Sequence, residues 1–413
     1  MKLAVIASVL AFYAAFPSEA SATPAFARQI DPTAALCQRR RPLRVPARIA
    51  PFAVGGGTGA DTGLRAAPSA EAAGLLYMEQ EKLLVSRGEW EGEAMAGKAI
   101  ALEANVVKVR GTGKAGGFGG GRSKVSPAAI KAEGKAHAKV LKKDGVVRID
   151  RVLSAATADR MKEYVTELRR RGEAEVEAGG VPLLKRFANV LLRKDRCDLT
   201  LPLGQDDIVA EALNEVLRES SAGATVRAML GKGSIMHELS CLISDPGSQR
   251  QVLHPDTPFM EGKGPVLFTC FVALQDVRLD MGPTTWLPGT HSAEAHEIFK
   301  DEHVQGGAGS KSRKDELIRN SAAVLGMLPK GSCAIFDSRT VHCGTANQSE
   351  TDSRALFYFS FKNPTVGYTG NPPSIRPEIG AAQISMEDLE KDLKSFSEGK
   401  AHPLLDQIGK SLK

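Results

Sequence analysis

The sequence predicts an α+β fold, an antiparallel β sandwich or jelly roll flanked by helices, and two observations carry that reading. Between Pro127 and Leu230 long stretches place apolar residues at helical spacing, with only short strand-like runs between them. After Gly231 the pattern changes to short runs rich in β-branched and aromatic residues, punctuated by Pro, Gly and Asp. Helices first and many strands afterwards is the order expected of such an α+β domain.

The chain of 413 residues is longer than one ordinary domain, and its N-terminal part reads as targeting sequence. Residues 1–22 have the layout of a secretory signal: Lys2 for charge, Leu3 to Phe16 as the short apolar run, and Ala20-Ser21-Ala22 as the cleavage site. That run is too short to span a bilayer, and no later stretch approaches spanning length. Residues 23–60 carry Arg28, Arg39, Arg40, Arg41, Arg44 and Arg48 against one acid, Asp31, the composition of an organelle transit peptide. A signal followed by a transit peptide resembles the bipartite leader of plastids acquired by secondary endosymbiosis. Ala25-Phe26-Ala27 followed by Arg28 is a loose version of the Ala-Phe-Ala-Pro junction of such leaders. A plastid is therefore the expected compartment, and secretion or an endomembrane lumen the alternative.

The leader also accounts for the charge. Residues 1–60 hold seven Lys/Arg and two Asp/Glu, hence +5 of the formal +6. The near-neutral remainder excludes the basic footprint of a nucleic-acid-binding protein. Beyond Cys37 in the leader there are five cysteines, Cys197, Cys241, Cys270, Cys333 and Cys343. An odd number without close pairs at zinc-site spacing is not a disulfide framework, and Cys241, Cys270 and Cys333 sit in apolar runs as small hydrophobes.

Residues 61–127 read as a flexible, Gly-rich lead-in with one helix from Leu75 to Val85. Gly111-Thr112-Gly113-Lys114-Ala115-Gly116 matches G-x-G-x-x-G, but more glycines follow instead of a helix, so a linker is the better reading. The catalytic-size domain is expected over residues 128–370. Ala128 to Lys143 predicts a helix with Gly145 just past its end. Val146 to Ile149 follows as a strand, and Ser154 as the N-cap of a helix from Ala156 to Ala178, on which Met161, Val165 and Leu168 share a face. Leu199 to Leu203 predicts a short strand and Ile208 to Leu230 one or two helices. Ile235–Ile243, Val266–Leu274, Thr284–Leu287, Ser332–Phe336 and Ala355–Phe361 predict strands. Lys311 to Asn320 is expected to be a helical insertion, and residues 371–413 a helical tail containing an amphipathic helix from Met386 to Phe396.

The chemistry resides in an ordered series: His254-Pro255-Asp256, then His342, then Arg354. Two histidines and one carboxylate can occupy one face of an octahedral iron(II) and leave the other open for a 2-oxo acid and dioxygen. In a strand, residues two apart point to the same side, so His254 and Asp256 can meet one metal. Arg354 opens the most hydrophobic strand of the chain, where an inward guanidinium requires an anionic partner.

Residues from about Leu141 to Pro364 resemble the phytanoyl-CoA dioxygenase family of iron(II)/2-oxoglutarate oxygenases. The likeness rests on Asp144-Gly145-Val146-Val147-Arg148-Ile149-Asp150-Arg151-Val152-Leu153 and on Gly282-Pro283-Thr284-Thr285-Trp286-Leu287-Pro288-Gly289-Thr290-His291. His342-x-Gly344 with Arg354 twelve residues beyond His342 completes it. The resemblance implies a double-stranded β-helix (jelly roll) core, with His254, Asp256 and His342 as the iron ligands. It implies Arg354 on the distal carboxylate of 2-oxoglutarate, with Thr269 and Trp286 as further cosubstrate contacts, and His291 as a structural turn residue. The expected activity is dioxygenase hydroxylation of a small-molecule or lipid-like substrate by O2, with release of succinate and CO2. Retention of Asp256 favours hydroxylation, since halogenases of the family lack that carboxylate. Pro255 and Cys343 depart from the usual pattern, and Cys343 would be open to oxidation beside a reactive iron.

Two other classes are consistent with the residues. One is a non-catalytic jelly-roll binding protein with a vestigial or structural metal site. The other is a metal-dependent hydrolase using His291 and His296, which are five apart rather than the four that align ligands on one helical turn. No basic cluster suited to coenzyme A stands out, so the family name does not identify the substrate.

Overall fold

The computed structural model describes residues 99–102, 125–188, 195–300, 313–367 and 372–412. The leader, the helix expected at Leu75 to Val85 and the glycine motif at Gly111 to Gly116 lie outside the described residues.

The first described strand, β1 (Ala99–Ala101), falls in the span read from sequence as lead-in, and a run of three residues is too short to give a periodic signal. Helix α1 (Pro127–Asp144) starts at Ser126, whose hydroxyl accepts from the Ala129 N–H, and Pro127 suits the first helical position. It ends as expected at Gly145, in the left-handed conformation (φ 77°) with its N–H donated to the Leu141 carbonyl. A side chain at Gly145 would also collide with Thr340 and His291, so this turn binds α1 to the loop before His342. After β2 (Val146–Ile149), Ser154 caps α2 (Ala155–Glu177), which buries Met161, Val165 and Leu168.

Strand β3 (Arg196–Thr200) begins three residues before the sequence-based expectation. Its opening residues Arg196, Cys197 and Asp198 do not form an apolar run, yet all three are buried. Two helices follow, α3 (Asp207–Arg218) and α4 (Ser221–Leu230), then β4 (Ile235–Ser244), β5 (Leu267–Ala273) and β6 (Thr284–Trp286). Helices α5 (Ala293–Lys300) and α6 (Arg313–Asn320) precede β7 (Ala323–Leu325), β8 (Cys333–Asp337), β9 (His342–Gly344) and β10 (Arg354–Lys362). The chain closes with α7 (Pro377–Ala381), α8 (Met386–Ser397) and α9 (Pro403–Ser411).

The strands form two sheets, six-stranded in the order β2-β8-β5-β10-β4-β3 and four-stranded in the order β1-β7-β6-β9. Every pairing is antiparallel except β1 with β7. This is the jelly-roll sandwich expected from the strand grammar. On one face of the large sheet, Phe271, Phe336, Leu356 and Tyr358 pack with Trp286 and Val324 of the small sheet, which defines the sandwich interior. On the other face, Phe357, Phe359 and Phe361 of β10 join Met161, Val165, Leu213 and Val216 of the helices. β10 is thus covered on both sides, which explains why it reads as a nearly continuous apolar run. The C-terminal helices contribute Met386, Leu389, Leu393, Leu405 and Ile408 to that same core. No described helix is long and apolar enough to cross a membrane.

Candidate metal centre and anion pocket

The site is built where the edge strand β9 meets the segment carrying His254. That segment is not a regular strand. His254 and His342 form an isolated antiparallel bridge, with N–H to carbonyl distances of 3.0 and 2.9 Å. Asp256 is held two residues on by its own N–H, donated to the Ser338 carbonyl at 2.8 Å. The expectation of two same-side strand residues is therefore replaced by a bridge plus a loop anchor, and the side chains still converge. One ligand atom each from His254, Asp256 and His342 lie within 4.8 Å of one another.

Hydrogen bonding sets the histidines up as ligands. Nδ1 of His254 lies 2.7 Å from the Val252 carbonyl, and Nδ1 of His342 lies 2.9 Å from the Thr340 carbonyl. A carbonyl only accepts, so each Nδ1 carries a proton and Nε2 is the nitrogen left to face a metal. Those Nε2 atoms stand 3.6 and 3.7 Å from the two Asp256 carboxylate oxygens. Burial draws the His342 imidazole below the usual histidine range, against the opposing pull of Asp256, and so favours the neutral ring that a metal needs. Burial alone would raise the Asp256 carboxyl, but His342 and His254 outweigh it and hold the group below its ordinary value.

The surrounding residues fix this geometry. Thr290 donates to the Leu287 carbonyl and accepts from the N–H of Val341, the residue before His342. His291 approaches the Lys142 carbonyl through Nε2 at 3.1 Å, tying the same turn to α1, which is the structural role expected for it. His296 accepts from the Phe259 N–H and donates to the Arg339 carbonyl. With both ring nitrogens engaged in backbone bonds, His296 offers nothing to the hydrolase reading. Among the described residues, the ligand cluster is formed by His254, Asp256 and His342. Phe336 packs at a tilt against His342 at 4.9 Å and Trp286 backs Phe336 at 5.6 Å, so Trp286 sits one ring behind the ligand, fully buried. Cys343 is buried too, and as the next strand residue it points to the opposite side from His342. The expectation that Cys343 is open to oxidation is corrected accordingly.

A second polar region lies deeper in the sandwich. Arg354 is fully buried, and Nη2 donates to the Ser244 hydroxyl at 3.1 Å while Nε and Nη1 have no partner. A water-facing arginine is thereby ruled out. Beside it lies Arg196, which sequence reasoning missed. Its Nε donates to the same Ser244 hydroxyl at 3.0 Å, and Nη2 to the Thr345 carbonyl at 3.4 Å. The pair is in register across three strands, Arg196 opposite Ser244 opposite Arg354. Burial, reinforced by Arg196, draws the Arg354 guanidinium down to about 9. Such a site calls for an anion. Gly344 connects the two regions: a side chain there would run into Gln251, whose amide oxygen accepts the Gly344 N–H, and would stand 3.4 Å from Arg354 Nη2.

Thr269 faces this interior from β5, 3% exposed, with its hydroxyl unpartnered. Glu238 of β4 belongs to the same face and was also missed. The signal was present as a two-residue alternation in which Glu238, Ser240 and Ser244 interleave with Leu239, Cys241 and Ile243.

The sequence model of the phytanoyl-CoA dioxygenase (PhyH) family matches residues 141–355. The chain belongs to this family. The match includes all three clustered side chains and Arg354, and ends at the start of β10. No curated protein matches the sequence. Among solved structures, similarity extends to the non-heme alpha ketoglutarate dependent epimerase SnoN from nogalamycin biosynthesis, at 19% identity and a TM-score of 0.39 over 61% of this chain and 96% of that one. The alpha ketoglutarate dependent carbocyclase SnoK from the same biosynthesis follows at 18% identity and 0.39, over 61% of this chain and 90% of its own. AviO1 from Streptomyces viridochromogenes Tue57 follows at 16% identity and 0.40, over 57% of this chain and 96% of its own. Family membership supports an oxygenase-type enzyme.

Proposed function

We propose that this protein is an Fe(II)- and 2-oxoglutarate-dependent dioxygenase that hydroxylates a small-molecule or lipid-like substrate. One observation carries the reading: a His, His, carboxylate cluster lies in the same sandwich as a buried arginine with two unpartnered nitrogens. The first suits iron(II), and the second the far carboxylate of a 2-oxo acid.

In this reading His254, Asp256 and His342 hold the metal. Bound iron and 2-oxoglutarate supply the oxidising chemistry, in which substrate, 2-oxoglutarate and O2 give hydroxylated substrate, succinate and CO2. The chain's own contribution is positioning. The Val252 and Thr340 carbonyls keep both imidazoles in the ligand tautomer. Arg354, steadied through Ser244, takes the distal carboxylate, and Arg196 adds positive potential beside it. Phe336, Trp286 and Tyr358 keep water from the buried side of the site. No side chain is required as a general base. Asp256 fills the position that family halogenases leave open, which favours hydroxylation.

Anaerobic titration of the purified protein with iron(II) and 2-oxoglutarate tests the reading. The expected result is a weak visible charge-transfer band, followed in air by succinate formation even without a prime substrate. Folded protein that yields neither would support the non-catalytic binding alternative instead.

A further inference from the structure

Across the large sheet, one row of inward-facing residues lies beneath the ligand cluster. Glu238 on β4 stands opposite Ser360 on β10, Ser360 opposite Thr269 on β5, and Thr269 opposite Phe336 on β8, the ring packed against His342. Ser360 and Thr269 are 0% and 3% exposed, and the Thr269 hydroxyl has no partner. Glu238 is half-buried. The Ser360 hydroxyl and the Ser374 backbone lie beside its carboxyl, and the charged groups acting on it, Asp256 and Asp198, are both acidic. Asp198 is itself committed within the protein, its Oδ2 accepting from Tyr358 and Ser374. Two hydroxyls and a carboxyl on the wall facing a metal cluster are a costly arrangement for a pocket meant for an acyl chain. The Glu238 carboxyl is also ill-suited to the dianionic cosubstrate, whose far carboxylate belongs with Arg354 and Arg196 at the other end of β10 and β3.

We infer that Glu238, with Ser360 and Thr269, forms the recognition wall for the prime substrate, and that this substrate is a small polar molecule presenting a protonated amine or a hydroxyl to Glu238. The inference rests on the oxygenase reading and deepens it by naming a substrate class. Glu238 is a specificity residue that accepts a hydrogen bond, and the oxidised carbon is delivered to the metal by that anchor. A fatty acyl thioester, with no polar atom at that depth, would leave the buried Thr269 hydroxyl unsatisfied.

The test uses the full-length iron-loaded enzyme and three probes: putrescine, myo-inositol and octanoyl-CoA. Stimulation of 2-oxoglutarate turnover by each probe is expressed relative to the same protein without probe. Wild type is expected to respond to putrescine or myo-inositol and not to octanoyl-CoA. Glu238→Leu is expected to lose about 10-fold or more of that stimulation, the usual consequence of removing a buried hydrogen-bond partner. Glu238→Gln keeps the shape, so retained response to myo-inositol with loss of response to putrescine assigns a hydroxyl and an amine separately. The charge-transfer band, read on each variant, shows whether its centre has assembled. Stimulation by octanoyl-CoA alone, no stimulation by any probe, or an undiminished response in an assembled Glu238→Leu protein would each overturn the inference while leaving the oxygenase reading intact. Absence of the band in wild type would instead remove that reading and this inference with it.

Discussion

The metal end and the anion end of the interior are built in opposite ways. At the metal end, His254 and Asp256 come from an irregular segment held by one isolated bridge and a loop anchor, and their side chains are 34% and 25% exposed. At the anion end, Arg196, Ser244 and Arg354 come from three regular strands in register and are buried. The first region sets one carboxylate beside two imidazole Nε2 atoms. The second holds two guanidiniums joined through one neutral hydroxyl. Regular strands supply the rigidity to keep like charges together. Each end is thus organised for a ligand of opposite sign, a cation at the first and an anion at the second.

That contrast can be broken most severely at Asp256. Asp256→Ala removes a ligand and is expected to lower iron(II) affinity by more than about 100-fold, beyond the loss typical of residues that merely support ligands. Loss of the charge-transfer band at metal concentrations that saturate wild type measures it, and an unchanged band would refute the assignment. Arg354→Met should act on the cosubstrate instead. The KM for 2-oxoglutarate is expected to rise about 100-fold, as truncating one side of a buried charge pair does, while binding of 2-oxobutyrate, which lacks the distal carboxylate, changes little. Its thermal stability without ligands should match or exceed that of wild type, because an uncompensated buried cation has been removed. A strongly destabilised ligand-free Arg354→Met protein would show that the anion end is a structural network.

Arg196→Met should reproduce the Arg354 pattern at smaller scale, about 10-fold in KM for 2-oxoglutarate, since Arg196 acts as a neighbouring charge in this reading. An equal effect on 2-oxobutyrate would assign it to the fold instead. The smallest effect is a slope in pH. Burial, with Asp256 and Asp198 adding to it, pushes the Glu238 carboxyl from 4.5 to about 8. The folded state therefore holds this proton more tightly than the unfolded one. The resulting advantage is complete below pH 4.5 and is lost as pH rises through about 8. Thermal melts of the ligand-free protein across that window should show a decline that Glu238→Gln lessens, and parallel curves for the two proteins would count against it.

Much of this was legible in advance, for identifiable reasons. Ser154 and Gly145 were readable as helix boundaries because capping is local chemistry between residues three or four apart. His254, Asp256, His342 and Arg354 were readable because their order in the chain survives whatever the loops between them do. Arg196 and Glu238 were not recognised. Each sits in or beside an apolar run whose neighbours face the helices, and only the strand register reveals that the polar positions share an interior wall. Cys343 was misjudged because proximity to His342 in sequence is proximity to the opposite side of a strand.

By itself, the sequence determined the class of fold, the likeness to one oxygenase family and the residues that can form a metal centre, because periodicity, capping and motif order are properties of the chain alone. Tertiary structure decided which polar side chains outside those motifs face the same interior. Pairing β3 with β4, β4 with β10 and β10 with β5 aligns residues from tens to more than a hundred positions apart, and no local preference encodes that alignment. The two arginines beside Ser244 and the Glu238 wall beneath the metal ligands exist as sites only through that register.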